Sequence, residues 1–424
     1  MVAIAAAFVV VGIGAGTLLA NVVEKQVEGE QFPAKLVDIG ELEVDPEVWG
    51  LNFPRQYDSY LRTQIDGNAT TYGGSAPFSK LDAKPFLRTA WAGYGFSLDY
   101  NEDRGHYYSQ IDQARSGRTN ELELPGTCIN CHTGEFVQLI DERGWEGINT
   151  TPYNDLREHV GDLGVTCADC HDPDTMQLRL TRPALINALT AQGIDWTEAS
   201  RQEMRTYVCA QCHVEYYFQG ETKELVFPWS LGTSVEAIEQ HYDEYGFQDW
   251  EHEITGAPMI KIQHPEFEMF TSSTHFAAGV ACADCHMPYV REGGVKVSDH
   301  WVRSPLDNLN NACQSCHRAS EEELETRILT IQGRTKDLME SVEDGLGDAI
   351  EAIAAAMEAG VPDENLVEAR AFHRAAQLRW DFVDAENSMG FHNPQEAVRV
   401  LGHAADLARQ AELSAVKALA AHEG

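Results

Sequence analysis

No cysteine of this 424-residue chain stands alone. All ten fall in C-x-x-C pairs, at 128/131, 167/170, 209/212, 282/285 and 313/316. None is left over for a disulfide framework, so a disulfide-stapled secreted scaffold is excluded. Basic charge is scarce too. Thirty-one Lys and Arg face 67 Asp and Glu, for a formal net charge of −36. That balance excludes nucleic acid and anionic membrane surfaces as partners. It leaves a solvated acidic surface or a basic partner. The cysteine pairs share no fixed period, which excludes a solenoid. Otherwise composition is that of a globular protein, 43% hydrophobic and 23% charged, with length for one large domain or two.

What is present is a histidine after every cysteine pair: His132, His171, His213, His286 and His317. Zinc or dithiol redox use of C-x-x-C requires no such histidine. C-x-x-C-H is the attachment signature of a c-type haem, held by two thioethers with the histidine as proximal iron ligand. Five such sites predict five covalently bound haem c groups. They supply apolar core that side chains need not provide. The expected fold is therefore mainly α, a multihaem cytochrome c fold with a haem-filled core, little β-sheet and long C-terminal helices.

Residues 2–20 carry no charge and are almost all apolar, long enough to span a bilayer. They lack a basic n-region and a clean A-x-A site, which favours an uncleaved anchor over a cleaved signal peptide. Either reading exports the rest of the chain to the periplasm. Three segments follow: 1–24 as anchor or signal, 25–318 with all five motifs, and 319–424 as a long-helix region. In the last, apolar positions at helical spacing predict one helix ending at Gly360 and Pro362, a second over 363–386, and a third to about His422. The third starts with Asn393 as N-cap, Pro394 at N1 and Glu396 at N3. This region reads as a dimerisation layer or as a plain flank closing the core.

Eleven histidines remain after the proximal five. A haem that only relays electrons takes a second strong axial ligand, whereas one that does chemistry keeps a position open. His106, His275, His300 and His392 sit in contexts that suit distal ligands. His373, His403 and His422 fall on predicted helices. His159, His241 and His252 lie in charged segments and are expected to be solvated. The residues alone leave each distal assignment open.

Several stretches carry a resemblance over roughly 40–422: WAGYGFSLDYNEDRGH (91–106), CAQCHVEYYF (209–218), KIQHPEFE (261–268), CADCHMP (282–288) and GFHNPQEAVRVLG (390–402). The chain resembles the pentahaem cytochrome c nitrite reductases, which reduce nitrite to ammonium. The resemblance implies pairings of His171 with His300, His213 with His106, His286 with His392, and His317 with His275. Haem 1, on Cys128 and Cys131, keeps an open side. The implied distal pocket holds Arg118, Tyr216 and His264, with Arg115 the alternative arginine. It implies a calcium site from the Glu215 carboxylate, the Gln263 side-chain carbonyl, and the backbone carbonyls of Tyr216 and Lys261, an all-oxygen set that suits calcium.

Also implied are nitrite as substrate, a membrane multihaem quinol dehydrogenase as electron donor, and a homodimer. One position departs from the usual pattern: most members carry lysine as proximal ligand of haem 1, where this chain has His132. Two other classes fit the motifs. One is a non-enzymatic multihaem electron carrier, the other a related reductase preferring hydroxylamine or sulfite. Nitrite is an anion and the protein is acidic, so a local positive funnel is expected over haem 1, from Arg118, Lys261 and either Arg303 or Arg104.

Overall fold

The computed structural model describes residues 35–65, 68–122 and 124–424. The apolar segment 2–20, and with it the expected anchor, lies outside them. No helix among the described residues is long and apolar enough to cross a membrane.

The longer helices are α1 (Phe136–Thr150), α2 (Pro183–Ala191), α3 (Arg201–Ala210), α4 (Val235–Tyr245), α5 (Glu321–Glu358), α6 (Val367–Asp384) and α7 (Pro394–Glu423). Sheet is confined to five two-stranded antiparallel pairs among the described residues. One joins β1 (Tyr217–Gln219) to β2 (Glu224–Val226), and another joins β3 (Tyr289–Glu292) to β4 (Val295–Ser298). The second turns through Gly293 and Gly294, both at positive φ, the conformation a two-residue hairpin needs. The mainly α architecture with little sheet and long C-terminal helices expected from the motifs is what forms.

Local sequence explains the C-terminal helices. Ser320 caps α5 by accepting from Glu323 N–H, while the Glu323 carboxylate accepts from Ser320 N–H. Gly360, at φ 86°, turns the chain out just beyond the helix. Asn393 caps α7 through Glu396 N–H, with Pro394 at its first position. On α5 the buried residues Met339, Val342, Leu346, Ala349, Ile350 and Ile353 recur at helical spacing. Met339, Val342 and Leu346 share a cluster with Ala397, Ala404 and Ala408 of α7, whose small side chains let the two axes approach.

The largest buried cluster draws on both sides of residue 318. Its centre is aromatic. Trp91 lies 5.9 Å from Trp380 and 5.7 Å from Trp250, and Phe86 meets Trp380 edge-on at 5.5 Å. Such pairs add about 0.5–1.5 kcal/mol each beyond the area they bury. The tryptophan of the WAGYGF stretch thus fastens the helical layer to the haem-motif region.

Two histidines correct the expectation that charged neighbours imply solvent. His241 and His252 are 3% and 1% exposed. His252 Nε2 meets Thr89 O at 2.9 Å, and its ring contacts buried His373 at 5.1 Å. Local charge does not report tertiary burial. His159 is exposed as expected, and so are His403 and His422.

Candidate haem cavity and active site

A single cavity of 2690 Å³ runs through the motif-bearing region, with all ten cysteines and all five proximal histidines on its wall. Ordinary small-molecule sites hold about 300–1,000 Å³, so this space suits several large groups. The motifs adjoin one another along it. Cys131 of motif 1 lies within electrostatic range of Cys212 of motif 3, and Cys209 of motif 3 within range of Cys282 of motif 4. Cys285 of motif 4 lies within electrostatic range of Cys313 of motif 5.

Imidazole geometry tests whether these residues fit haem. A metal–imidazole nitrogen bond is about 2 Å, which puts the ring centres of two ligands on one metal about 6 Å apart. The ring centres of His171 and His300 are 6.1 Å apart, His275 and His317 6.2 Å, His286 and His392 6.3 Å, and His106 and His213 6.4 Å. Burial lowers the pKa of His106, His171 and His286 to about 4, so each stays neutral and able to ligate. Among the described residues no imidazole stands opposite His132 at this range.

The second ring nitrogens are fixed in the way metal-bound histidines require. Nδ1 meets a backbone carbonyl in His132 (Ser109 O, 3.1 Å), His171 (Met176 O, 3.1 Å), His286 (Arg303 O, 3.0 Å) and His300 (Ser298 O, 2.9 Å). In His392 the partner is the Glu386 carboxylate, at 2.9 Å. Burial pushes the His392 pKa down, but Glu386 outweighs it and leaves it raised. Every one of these rings therefore offers Nε2 to the cavity.

Arg118, Tyr216 and His264 all line the same cavity. Arg118 sits on a short helical turn held by Gly117 N–H donating to Asp99, 2.5 Å away, and by the Gln113–Thr119 contact at 2.9 Å. Its guanidinium stacks on Phe96 at 3.8 Å, which gives the GF of WAGYGF a role. Arg118 lies within electrostatic range of Cys128, and Tyr216 of both Cys128 and Cys131. Arg115 is exposed and is not on the cavity wall. His264 lies 6.5 Å, ring to ring, from His213, and its Nδ1 is 3.9 Å from Glu266.

Glu266 was not singled out in the sequence. Its carboxylate lies between His264 and His213 Nδ1, 3.7 Å from the latter, and accepts from Asn387 at 2.8 Å. Burial pushes its pKa up, but the two imidazoles outweigh this and hold it well below the usual carboxylate range. An acidic residue two places after a candidate pocket histidine was the available signal. Glu386, six residues before His392, was missed in the same way.

Three of the four residues implied as calcium ligands, Glu215, Gln263 and Lys261, lie together. Glu215 is fully buried, accepts from Tyr242 OH at 2.6 Å and Gln263 N–H at 2.5 Å, and has no ion-pair partner among the described residues. Burial raises its pKa well above the usual range. The Gln263 amide nitrogen donates to Lys261 O at 3.1 Å. A buried carboxylate beside two amide oxygens is a donor set that a hard divalent cation would neutralise.

The positive funnel does not form as expected. Lys261 Nζ is buried against Asp381 at 2.8 Å, Arg104 pairs with Asp112 at 2.5 Å, and Arg303 pairs with Asp299 at 3.0 Å. Among the described residues, Arg118 alone of the four has no carboxylate in ion-pair range. Each of the other charges is cancelled locally because the fold had to bury or brace it.

Cavity, motifs and paired imidazoles define a multihaem cytochrome c. Residues 45–424 match the model of the cytochrome c552 family, and the chain belongs to that family. It is 38% identical over 416 residues to cytochrome c-552 of Porphyromonas gingivalis, covering 96% of this chain and 83% of that one. It is 39% identical over 398 residues to the cytochrome c nitrite reductase subunit NrfA of Nitratidesulfovibrio vulgaris, covering 85% and 76%. The solved cytochrome c nitrite reductase of Desulfovibrio desulfuricans, whose catalytic subunit has two calcium sites, superposes with a TM-score of 0.86 at 37% identity. That match covers 90% of this chain and 88% of the other. The resemblance read from the motifs therefore holds.

Proposed function

We propose that the chain is an ammonia-forming cytochrome c nitrite reductase. The overall change would be NO₂⁻ + 8 H⁺ + 6 e⁻ → NH₄⁺ + 2 H₂O. The observation that carries this is His132, the one proximal histidine with no facing imidazole among the described residues, while Arg118 and Tyr216 adjoin its cysteines. An electron carrier would need a sixth ligand there.

The haem held by Cys128, Cys131 and His132 supplies, when bound, an open coordination position and electrons one at a time. The protein's own groups do the rest. Arg118 holds the nitrite oxygens through its planar fork and polarises the N–O bonds. His264 delivers protons, oriented by Glu266. The Tyr216 hydroxyl donates a hydrogen bond to partly reduced nitrogen. The four histidine pairs, His171–His300, His213–His106, His286–His392 and His317–His275, hold the haems that store and pass electrons. Calcium would be held by Glu215, the Gln263 side chain and the carbonyls of Tyr216 and Lys261, bracing the segments that carry Tyr216 and His264.

In this reading residues 25–318 are the catalytic region, and 319–424 form the layer at which two copies meet. The protein works outside the cytoplasm and takes electrons from a membrane multihaem quinol dehydrogenase. The test is an assay with reduced viologen and nitrite. Ammonium should accumulate at one per six electrons; its absence at every pH tried would overturn the reading.

A further inference from the structure

Three of the haem-binding motifs meet at one buried ion pair. Arg182, at the N-cap of α2, and Asp169, inside motif 2, are 1% and 3% exposed and 2.7 Å apart. The guanidinium also reaches into motif 1. Its Nε donates to Asn130 O at 2.8 Å and its Nη2 to Thr133 O at 3.2 Å. Those carbonyls stand on either side of Cys131 and His132. Motif 3 closes the triangle through Gln211. Its side-chain oxygen accepts from the backbone N–H of Thr181 (2.6 Å) and Arg182 (3.1 Å), and its amide nitrogen donates to Asp169 O (3.2 Å). The Arg182 guanidinium lies over Phe136 at 4.2 Å, so its plane is fixed.

An ion pair this deep is costly to desolvate and is weak evidence for stability. Its directionality is the informative part. The cationic end lies within electrostatic range of Cys131 and Cys212, in motifs 1 and 3, while the anionic end belongs to motif 2. Cys170 and Cys212 lie within range of both ends, whereas Cys131 faces the cationic end, so the pair is a fixed dipole with its positive end towards motif 1. Positive charge favours the reduced, less positive state of a nearby iron, and negative charge disfavours it.

We propose that Arg182 is a positioning residue for haem 1, clamping the backbone on both sides of His132 and placing a fixed positive charge beside that ligand. Resting on the reading of haem 1 as the open site, it adds that motifs 2 and 3 jointly set this iron's ligand geometry and potential. Arg182 touches neither nitrite nor iron. Arginine is required because only its planar fork donates to two carbonyls and the Thr181 hydroxyl at once while its charge pairs with a carboxylate.

The test uses the haem-loaded full chain, with low-temperature EPR and a potentiometric titration of each haem. Wild type should show a high-spin signal from haem 1. If it shows none, the open-site reading itself fails, whatever Arg182 does. Asp169→Asn with Arg182→Met removes both charges and leaves no orphan ion. It should lower the haem 1 midpoint and split its high-spin line into more than one form, with the low-spin signals of haems 4 and 5 unmoved. Arg182→Lys keeps the charge but not the fork, so it should restore the midpoint and leave the line heterogeneous. An unchanged haem 1 midpoint and line in the double variant would overturn the proposal, as would equal shifts at haems 4 and 5. Should the double variant fail to load haem, Arg182→Lys decides alone, and a homogeneous wild-type line would overturn the clamp.

Discussion

Glu386 places Oε2 2.9 Å from Nδ1 of His392 with its carboxylate wholly removed from solvent. The same carboxylate accepts from Ser388 Oγ–H and from Gly390 N–H at 2.7 Å, so it winds the 387–391 loop around itself. Asn387, Met389 and Gly390 all take positive φ there. For Met389 that conformation costs about 1 kcal/mol or more, which the carboxylate contacts offset. A buried anion behind an axial histidine raises the ligand's basicity and favours oxidised iron. Glu386→Gln is therefore expected to raise the haem 4 midpoint while His392 stays bound, read by potentiometric titration. Glu386→Ala, which also frees the loop, is expected to weaken His392 ligation by about 10–100-fold, seen as loss of one low-spin signal.

Substrate binding should depend on Arg118 and not on its neighbour. Arg118→Ala is expected to cut kcat/KM for nitrite by about 10²–10³, the usual effect of losing one positioned donor. Arg115→Ala should leave it unchanged, since that side chain points to solvent. Steady-state assays at saturating viologen separate the two, and an equal loss in both would remove Arg118 from the pocket.

Calcium should behave as a folding ligand. Glu215 has its carboxylate in the core with two neutral donors and no ion-pair partner among the described residues. Free calcium at 100 times its Kd adds about 2.7 kcal/mol to a fold that binds it. Thermal melts with chelator and with added calcium should show that rise in wild type and none in Glu215→Gln.

Acid should destabilise the helical layer through His373. Burial lowers its pKa to about 3, with further lowering by His252, 5.1 Å away. The folded value lies below the unfolded value of about 6.5. The contribution to stability is therefore complete above about pH 6.5 and drains away as pH falls towards 3. At pH 5 the loss is on the order of 2 kcal/mol, at about 1.4 kcal/mol per unit. His373→Gln should flatten the melting temperature between pH 7 and 5; the same slope as wild type would contradict this.

What could be read from the sequence was what the chain encodes locally. The five C-x-x-C-H motifs name their chemistry in five residues, and Asn393-Pro394 and Gly360 mark helix ends by backbone conformation alone. The distal histidines are different. His171 and His300 meet only because the tertiary fold brings them together, and only the family resemblance paired them. Arg182, Glu266 and Glu386 were illegible for the same reason: each matters through what it faces, and facing is a long-range property. His241 and His252 misled because their charged neighbours turn outward while the imidazoles turn in.

The separation in sequence of the facing imidazoles bears on how the protein matures. In three of the four pairs the partners lie more than a hundred residues apart. Each such pairing closes a long loop, which slows folding by its entropy. Thioether formation needs only the local motif, whereas the sixth ligand needs the finished fold. A newly exported chain would thus pass through a stage in which its cofactors are attached but their irons lack a second imidazole. His392, the last of these ligands in sequence, would complete its iron late. The visible spectrum would then time two events separately, covalent attachment first and chain closure afterwards.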